Sequence, residues 1–172
     1  MTRFLPFLIA ALVVVLDRIT KSAIKAHLGP YDTYTVIPGW FNIVHTENPG
    51  IAFGMLADLS GIWRDILLIG FASAVLIVIS VMLLRPSVQR DTVLRIALAL
   101  ILGGACGNLY DRIVTGTVTD FIEVHASQHY FPAFNVADSA VTVGACLLVL
   151  DMWRTKEKKT ERNHASEANL HR

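Results

Sequence analysis

Apolar residues gather into four long blocks along the chain, and charged residues fall mostly between them. Ile66 to Leu84 carries no charge, and about 20 mainly apolar residues are what a helix needs to cross a bilayer. Val93 to Tyr110 matches apart from Arg95, and Ala133 to Leu150 matches apart from Asp138 near its start. The first block, Phe4 to Leu16, is shorter, and with Asp17, Arg18 and Lys21 behind it can be read as a cleaved leader. Three later spans favour the other reading, an uncleaved helix running through Asp17 to near Ala23. The pattern predicts an all-α membrane protein with four transmembrane helices, at about 4–23, 64–84, 93–110 and 133–152.

Between the first two spans the period shortens. From Tyr31 to Phe53 aromatic and β-branched residues alternate with polar ones, and Pro38-Gly39 and Asn48-Pro49-Gly50 are turn formers. Short strands are predicted within 31–58, forming a small β element outside the bilayer. The brief link around Pro86 makes spans two and three antiparallel neighbours. Gly103, Gly104 and Gly107 are spaced for close helix packing rather than for a ligand loop. From Arg154 to Arg172 the chain is polar, without apolar periodicity, and reads as a solvated, poorly ordered tail that can touch anionic lipid heads; the membrane domain is thus 1–153.

Composition agrees with a lipid environment: 53% of the 172 residues are hydrophobic, 17% are charged and the mean hydropathy is +0.52. A net charge of +1 offers no basic face for phosphates, which excludes nucleic-acid binding. Cys106 and Cys146 lie in apolar stretches without CxxC spacing and read as buried free thiols. Lysine and arginine accumulate in cytoplasmic loops. Arg3, Arg85, Arg90, Arg95, Arg154, Lys156, Lys158, Lys159, Arg162 and Arg172 lie at the N-terminus, in the loop after span two and in the tail, while Arg18, Lys21, Lys25, Arg64 and Arg112 lie opposite. Both termini are therefore expected in the cytoplasm.

That orientation brings costly polar groups to one depth. Asp17 falls late in span one, Asn108, Asp111 and Arg112 at the outer end of span three, Asp120 in the following outer loop and Asp138 at the outer start of span four. Two facing carboxylates that share a proton can act as general acid and general base. Asp138 can equally complement a helix dipole behind an Asn135 cap, and Asp120 can be a solvated loop acid. Asn48 and Asn108 can orient a peptide backbone, and Arg112 can grip a carbonyl; capping and an ion pair with Asp111 or Asp17 are the alternatives.

Five blocks together carry a resemblance: Asp17-Arg18-Ile19-Thr20-Lys21, Asn48-Pro49-Gly50-Ile51-Ala52-Phe53-Gly54, Gly103 to Arg112, Val118-Thr119-Asp120-Phe121-Ile122 and Phe134 to Ser139. In this order they resemble lipoprotein signal peptidase, or signal peptidase II, over nearly the whole chain. The resemblance implies an aspartic endopeptidase of the bacterial inner membrane, with its site toward the periplasm and a short β cradle on that face. It implies Asp120 and Asp138 as catalytic residues. Asn48, Gly50, Asn108, Arg112 and Asn135 are then substrate-binding, and Asp17, Lys21 and Asp111 support them. The substrates implied are prolipoproteins, cut before a diacylglyceryl-modified cysteine; membrane lipids and peptide antibiotics such as globomycin are the other implied partners, and no metal or other cofactor is implied. Pro49, Gly54 and Cys106 stand where the family more often has threonine, serine and another small residue.

Three rivals compete. His125 and His129 are four apart with Glu123 nearby, but no HExxH is present and both read as solvated loop histidines. Ser139 with Lys21 would make a serine and lysine peptidase. Asp17, Asp138 and Arg112 would make an ion relay, but the inner halves of spans two to four offer only Ser73, Ser80, Thr142 and glycines.

Overall fold

The computed structural model describes residues 4–50, 61–126 and 129–170. The chain runs α1 (Leu5–His27), β1 (Thr33–Ile37), β2 (Phe41–Asn48), α2 (Gly61–Leu83), α3 (Pro86–Arg90), α4 (Thr92–Thr115), β3 (Val118–Ala126), β4 (His129–Tyr130) and α5 (Val136–Leu170). Part of the predicted outer strand region, including Gly54 and the block Ile51-Ala52-Phe53, lies outside the described residues. Among the described residues, three helical segments are long and apolar enough to cross a membrane: Gly61–Leu83, Thr92–Thr115 and Val136–Arg154. α1 is as long as α2, at 23 residues, but its last turns carry Asp17, Arg18, Lys21 and Lys25.

α4 is the central helix and touches α1, α2, α3 and α5. Its glycines permit this. A Cβ on Gly103 would stand 2.7 Å from the Ala10 carbonyl oxygen of α1, and one on Gly104 would run into the Ala137 carbonyl of α5. Gly144 makes the converse approach from α5 to Ala97 of α4. The packing assignment of the span-three glycines holds, and close backbone approach of this kind is how helices adhere where no hydrophobic effect separates side chain from solvent. The apolar core, Ala10, Ile79, Leu83, Val88, Leu98 and Leu102, joins α1, α2 and α4 with α3, whose Val88 tucks inward. The link at Pro86 is thus a short helix.

α4 begins at Asp91, whose side chain accepts the Leu94 N–H, and ends at Gly116, whose φ of +77° suits glycine. That left-handed cap turns the chain at once into β3. The sequence pattern predicts a loop for Asp120, His125 and His129; instead 118–126 is a strand, His129 opens β4, and among the described residues the sheet is four-stranded in the order β1-β2-β3-β4. The β1–β2 turn is as predicted, with Gly39 at φ +81° and the Trp40 N–H donating to the Ile37 carbonyl. α5 continues into the polar tail as far as Leu170; Glu, Lys, Arg and Ala there are good helix formers even without an apolar stripe. Cys106 is half-buried and Cys146 exposed, so the second is not the buried thiol expected.

Candidate active site

At one end of the bundle, the sheet and the tips of α4 and α5 enclose a cavity of about 560 Å³. Asn48, Gly50, Asn108, Arg112, Asp120 and Asp138 form its polar wall, and Phe131, Pro132, Phe134 and Val143 are among its apolar lining. Six residues expected at the site therefore meet around one space although 90 positions separate the first from the last.

Asp120 enters from β3 and is 3% exposed. Its Oδ1 accepts from Asn135 Nδ2 at 2.7 Å and its Oδ2 from Asn48 Nδ2 at 3.0 Å. Asp138 enters from the first turn of α5, where Oδ1 accepts from Asn108 Nδ2 at 2.7 Å and Oδ2 from the Asn135 backbone N–H at 3.1 Å. The Asn135 Oδ1 in turn accepts the Asp138 N–H at 2.9 Å. This reciprocal pair is a capping box, so the cap anticipated at Asn135 exists and serves the site as well. Because Asn135 Oδ1 is committed to a backbone N–H, its Nδ2 must face Asp120, and one residue ties both carboxylates together, Asp120 through its side chain and Asp138 through its backbone N–H.

Burial pushes the Asp120 carboxyl up to about 6 from 3.8; the Asn48 hydrogen bond opposes the rise, the Asp138 charge adds to it, and Asn135 and Lys21 pull the other way. Such a value keeps a proton within reach near neutral pH.

Behind the pair lies a buried ionic layer. Asp17, fully buried, accepts from Lys21 Nζ at 2.9 Å, from Arg18 at 3.0 Å and from the Ala137 backbone N–H of α5 at 3.2 Å. Asp111 pairs with Lys21 at 2.7 Å and with Arg18 at 2.6 Å. Lys21 also donates to Asn108 Oδ1 at 3.1 Å, leaving Nδ2 of that amide for Asp138. The acids Asp17 and Asp111 thus pair with Arg18 and Lys21, not with Arg112. Arg112 instead donates to the Gly50 carbonyl at 3.1 Å, and its buried Nε has no partner among the described residues.

The rivals fit this geometry poorly. Ser139 donates to the Asn135 carbonyl at 2.9 Å, and Lys21 is engaged by Asp17, Asp111 and Asn108. His125 and His129 stand on neighbouring strands, and His125 is buried and stacked on Tyr130, so neither a shared helix face nor two solvated rings describes them. No group of three or more metal-ligating side chains occurs among the described residues.

Sequence reasoning missed Glu47, Thr117 and Thr119 on the other face of the sheet. Glu47 accepts from Thr117 at 2.6 Å and from Thr119 at 3.2 Å. The period-two run Thr117-Val118-Thr119-Asp120 is a strand signal that would have revealed them. Burial works to raise Glu47, but hydrogen bonds from Thr117, His45 and Lys25 outweigh it and hold the carboxyl below its usual range.

Comparison with known proteins places the chain as a whole. The model of the Signal peptidase (SPase) II family matches residues 9–154. The lipoprotein signal peptidase of Solibacter usitatus is 45% identical over 150 residues, 87% of this chain and 91% of that one. The Pseudomonas aeruginosa lipoprotein signal peptidase is 50% identical over 157 residues, 89% of this chain and 90% of that one. A bacterial membrane enzyme solved by the in meso method at 2.3 Å resolution superposes with a TM-score of 0.80 at 32% identity, covering 90% of each chain. The family match spans the cavity-lining residues from Asn48 to Val143 and the ionic layer behind them at Asp17, and the chain belongs to the signal peptidase II family.

Proposed function

We propose that Asp120 and Asp138 form a catalytic dyad that hydrolyses the peptide bond before a diacylglyceryl-modified cysteine, with one water as nucleophile and no metal. The chain is a signal peptidase II, a protease that removes signal peptides from prolipoproteins; the residue roles are our reading. The observation that carries it is the bridge through Asn135, which puts both carboxylates on one cavity with two donors each. The ionised partner takes a proton from water as its oxygen bonds to the scissile carbonyl carbon. The protonated partner donates to the carbonyl oxygen, and the tetrahedral intermediate collapses with that proton passing to the leaving amine. Asn48, Gly50, Asn108, Arg112 and Asn135 hold the substrate or the dyad, Arg112 Nε being free for a substrate carbonyl; Asp17, Lys21 and Asp111 brace them from behind.

In this reading α1 is a fourth span and residues 1–153 make one membrane peptidase domain. Both termini and the 154–172 segment are cytoplasmic, and the sheet and cavity face the periplasm across the bacterial inner membrane. Lysine and arginine placement supports the orientation, and the concentration of exposed apolar side chains on α1, α2 and α5 supports lipid contact. Substrate enters sideways from the outer leaflet. Each buried CH₂ of its acyl chains contributes about 0.8 kcal/mol of anchoring, which can be used for orientation at the reacting bond. A globomycin-type cyclic peptide would compete for the same cavity.

The test is one precursor assayed before and after lipid transfer to its lipobox cysteine, in the same detergent. The lipidated form should be cut with a kcat/KM higher by at least about a hundredfold. Equal kcat/KM for the two forms would sink the lipid part of the proposal.

A further inference from the structure

We propose that Glu47, on the sheet face turned away from the cavity, is a positioning residue that fixes the register in which β2 offers Asn48 to Asp120; this rests on the dyad reading above.

The pairing of β2 with β3 sets Thr46 opposite Asp120, Glu47 opposite Thr119 and Asn48 opposite Val118. Side chains alternate faces along a strand. Asn48 reaches Asp120 Oδ2, and Thr46 Oγ1 donates to the Asp120 carbonyl at 3.2 Å. Glu47 is thereby left on the opposite side, with Thr117 and Thr119. Its Oε2 accepts from Thr117, and its Oε1 accepts from Thr119 and from Lys25 Nζ of α1 at 3.2 Å. His45 Nε2 also lies 3.2 Å from Oε1. One carboxylate therefore gathers α1, β2 and β3.

The register needs such a clasp because β2 is bulged beside it. From Ile43 to Thr46 β2 advances three residues while β3 moves two, from Ile122 to Asp120. His45, in the bulge, is held to the segment after α1. Its N–H donates to Asp32, its carbonyl accepts from Tyr31, and its Nδ1 lies 2.9 Å from the Leu28 carbonyl. A slip of one residue would exchange the two faces of β2. Asn48 would leave Asp120 and Glu47 would come against it, placing a third acid beside the dyad. Thr119 is fully buried, so without Glu47 its hydroxyl loses its acceptor in a dry setting. Glu47 is not among the residues lining the cavity, so its effect on the reaction passes through Asn48 and Asp120.

The consequence is chemical as well as mechanical. The Asn48 hydrogen bond favours the ionised form of Asp120 and counters burial. The charged groups around Asp120 are Asp138 on α5, Lys21 on α1 and Arg112 on α4; those around Glu47 are Lys25 and His45. A change at position 47 touches only the last two directly, so any movement of the Asp120 titration reports the strand.

The experiment uses the purified full chain with lipidated precursor, measuring kcat, KM, the pH profile and the thermal midpoint. Glu47→Ala should lower kcat by about tenfold to a hundredfold with KM within about twofold, and should move the pH limb belonging to Asp120 upward. Glu47→Gln, with its amide oxygen accepting from Thr119 and its NH₂ donating to the Thr117 hydroxyl oxygen, keeps one hydrogen bond to each threonine and should recover most of kcat. Thr119→Val, which keeps the shape and removes the hydroxyl, should move the limb the same way and decides the matter if Glu47→Ala does not fold. The proposal is overturned if folded Glu47→Ala, or in its place Thr119→Val, shows wild-type kcat and pH profile, or if Gln is as damaging as Ala. Asp120→Asn runs alongside: activity in that variant refutes the dyad, whereas its inactivity beside a wild-type Glu47→Ala refutes the register alone.

Discussion

Replacing Asp120 with asparagine removes a titrating group from a nearly dry site. In the folded protein burial holds its carboxyl at about 6, against 3.8 in an open chain. The folded state therefore binds this proton more tightly than the unfolded state does. Between those two values the unfolded chain releases the proton first, so stability falls as pH rises through the window and is lowest once both states are ionised. The interval from 3.8 to about 6, at roughly 1.36 kcal/mol per pH unit, amounts to about 3 kcal/mol. Asp120→Asn cannot ionise and lacks this slope. Its amide also turns an NH₂ toward Asn48 or Asn135, but that offset does not vary with pH. Unfolding in detergent micelles at pH 4, 5, 6 and 7, followed by tryptophan fluorescence, should show the variant gaining on wild type by about 2.4 kcal/mol across the series, since about 0.5 kcal/mol of the total is already lost at pH 4; that is roughly 5 to 10 °C in midpoint for a chain of this size. A difference that stays level within about 1 kcal/mol, or that shrinks as pH rises, would refute the assignment of a buried, raised carboxyl.

Two further outcomes follow from the same geometry. Asn135→Ala removes the acceptor for the Asp138 N–H and the donor to Asp120 together, so kcat should fall by about a hundredfold while the lost cap costs only about 1 kcal/mol of stability; a near wild-type kcat would show that the bridge is not used. In a background lacking Cys106 and Cys146, a single cysteine at exposed His129 should react with an impermeant thiol reagent added from the periplasmic side and one at exposed Ser87 should not; the reverse pattern would invert the orientation.

The membrane segments were legible because a charge-free run such as Ile66 to Leu84 has few soluble alternatives. The β1–β2 hairpin was legible because Pro38-Gly39 can do little but turn. β3 was not, although its run Val118-Thr119-Asp120-Phe121-Ile122 is rich in strand formers. Its pairing partner β2 lies some 70 residues earlier, and non-local pairing leaves no mark on local sequence beyond a weak alternation. The proposed pairing of Asp120 with Asp138 rests, on the sequence side, on resemblance alone. Local sequence leaves Asp138 divided between capping and catalysis, and in the structure the same side chain belongs to the Asn135 capping box and lines the cavity. Of the readings open for Arg112, the ion pair with Asp111 or Asp17 rests on proximity along the chain, whereas the approach of α1 to α4 at Gly107 brings Arg18 and Lys21 to those acids instead. A Cβ on Gly107 would lie 2.8 Å from Asp17 Oδ2.

The most direct measurement is turnover of a purified, diacylglyceryl-modified precursor by wild type, Asp120→Asn and Asp138→Asn, each checked for helical content and assayed with and without EDTA. Wild type should cut immediately before the modified cysteine and be indifferent to EDTA. Each variant should lose at least about three orders of magnitude in kcat while remaining folded, because neither half of a proton-sharing pair can serve alone. Substantial cleavage by either variant, or loss of wild-type activity on chelation with recovery on adding zinc, would contradict the dyad.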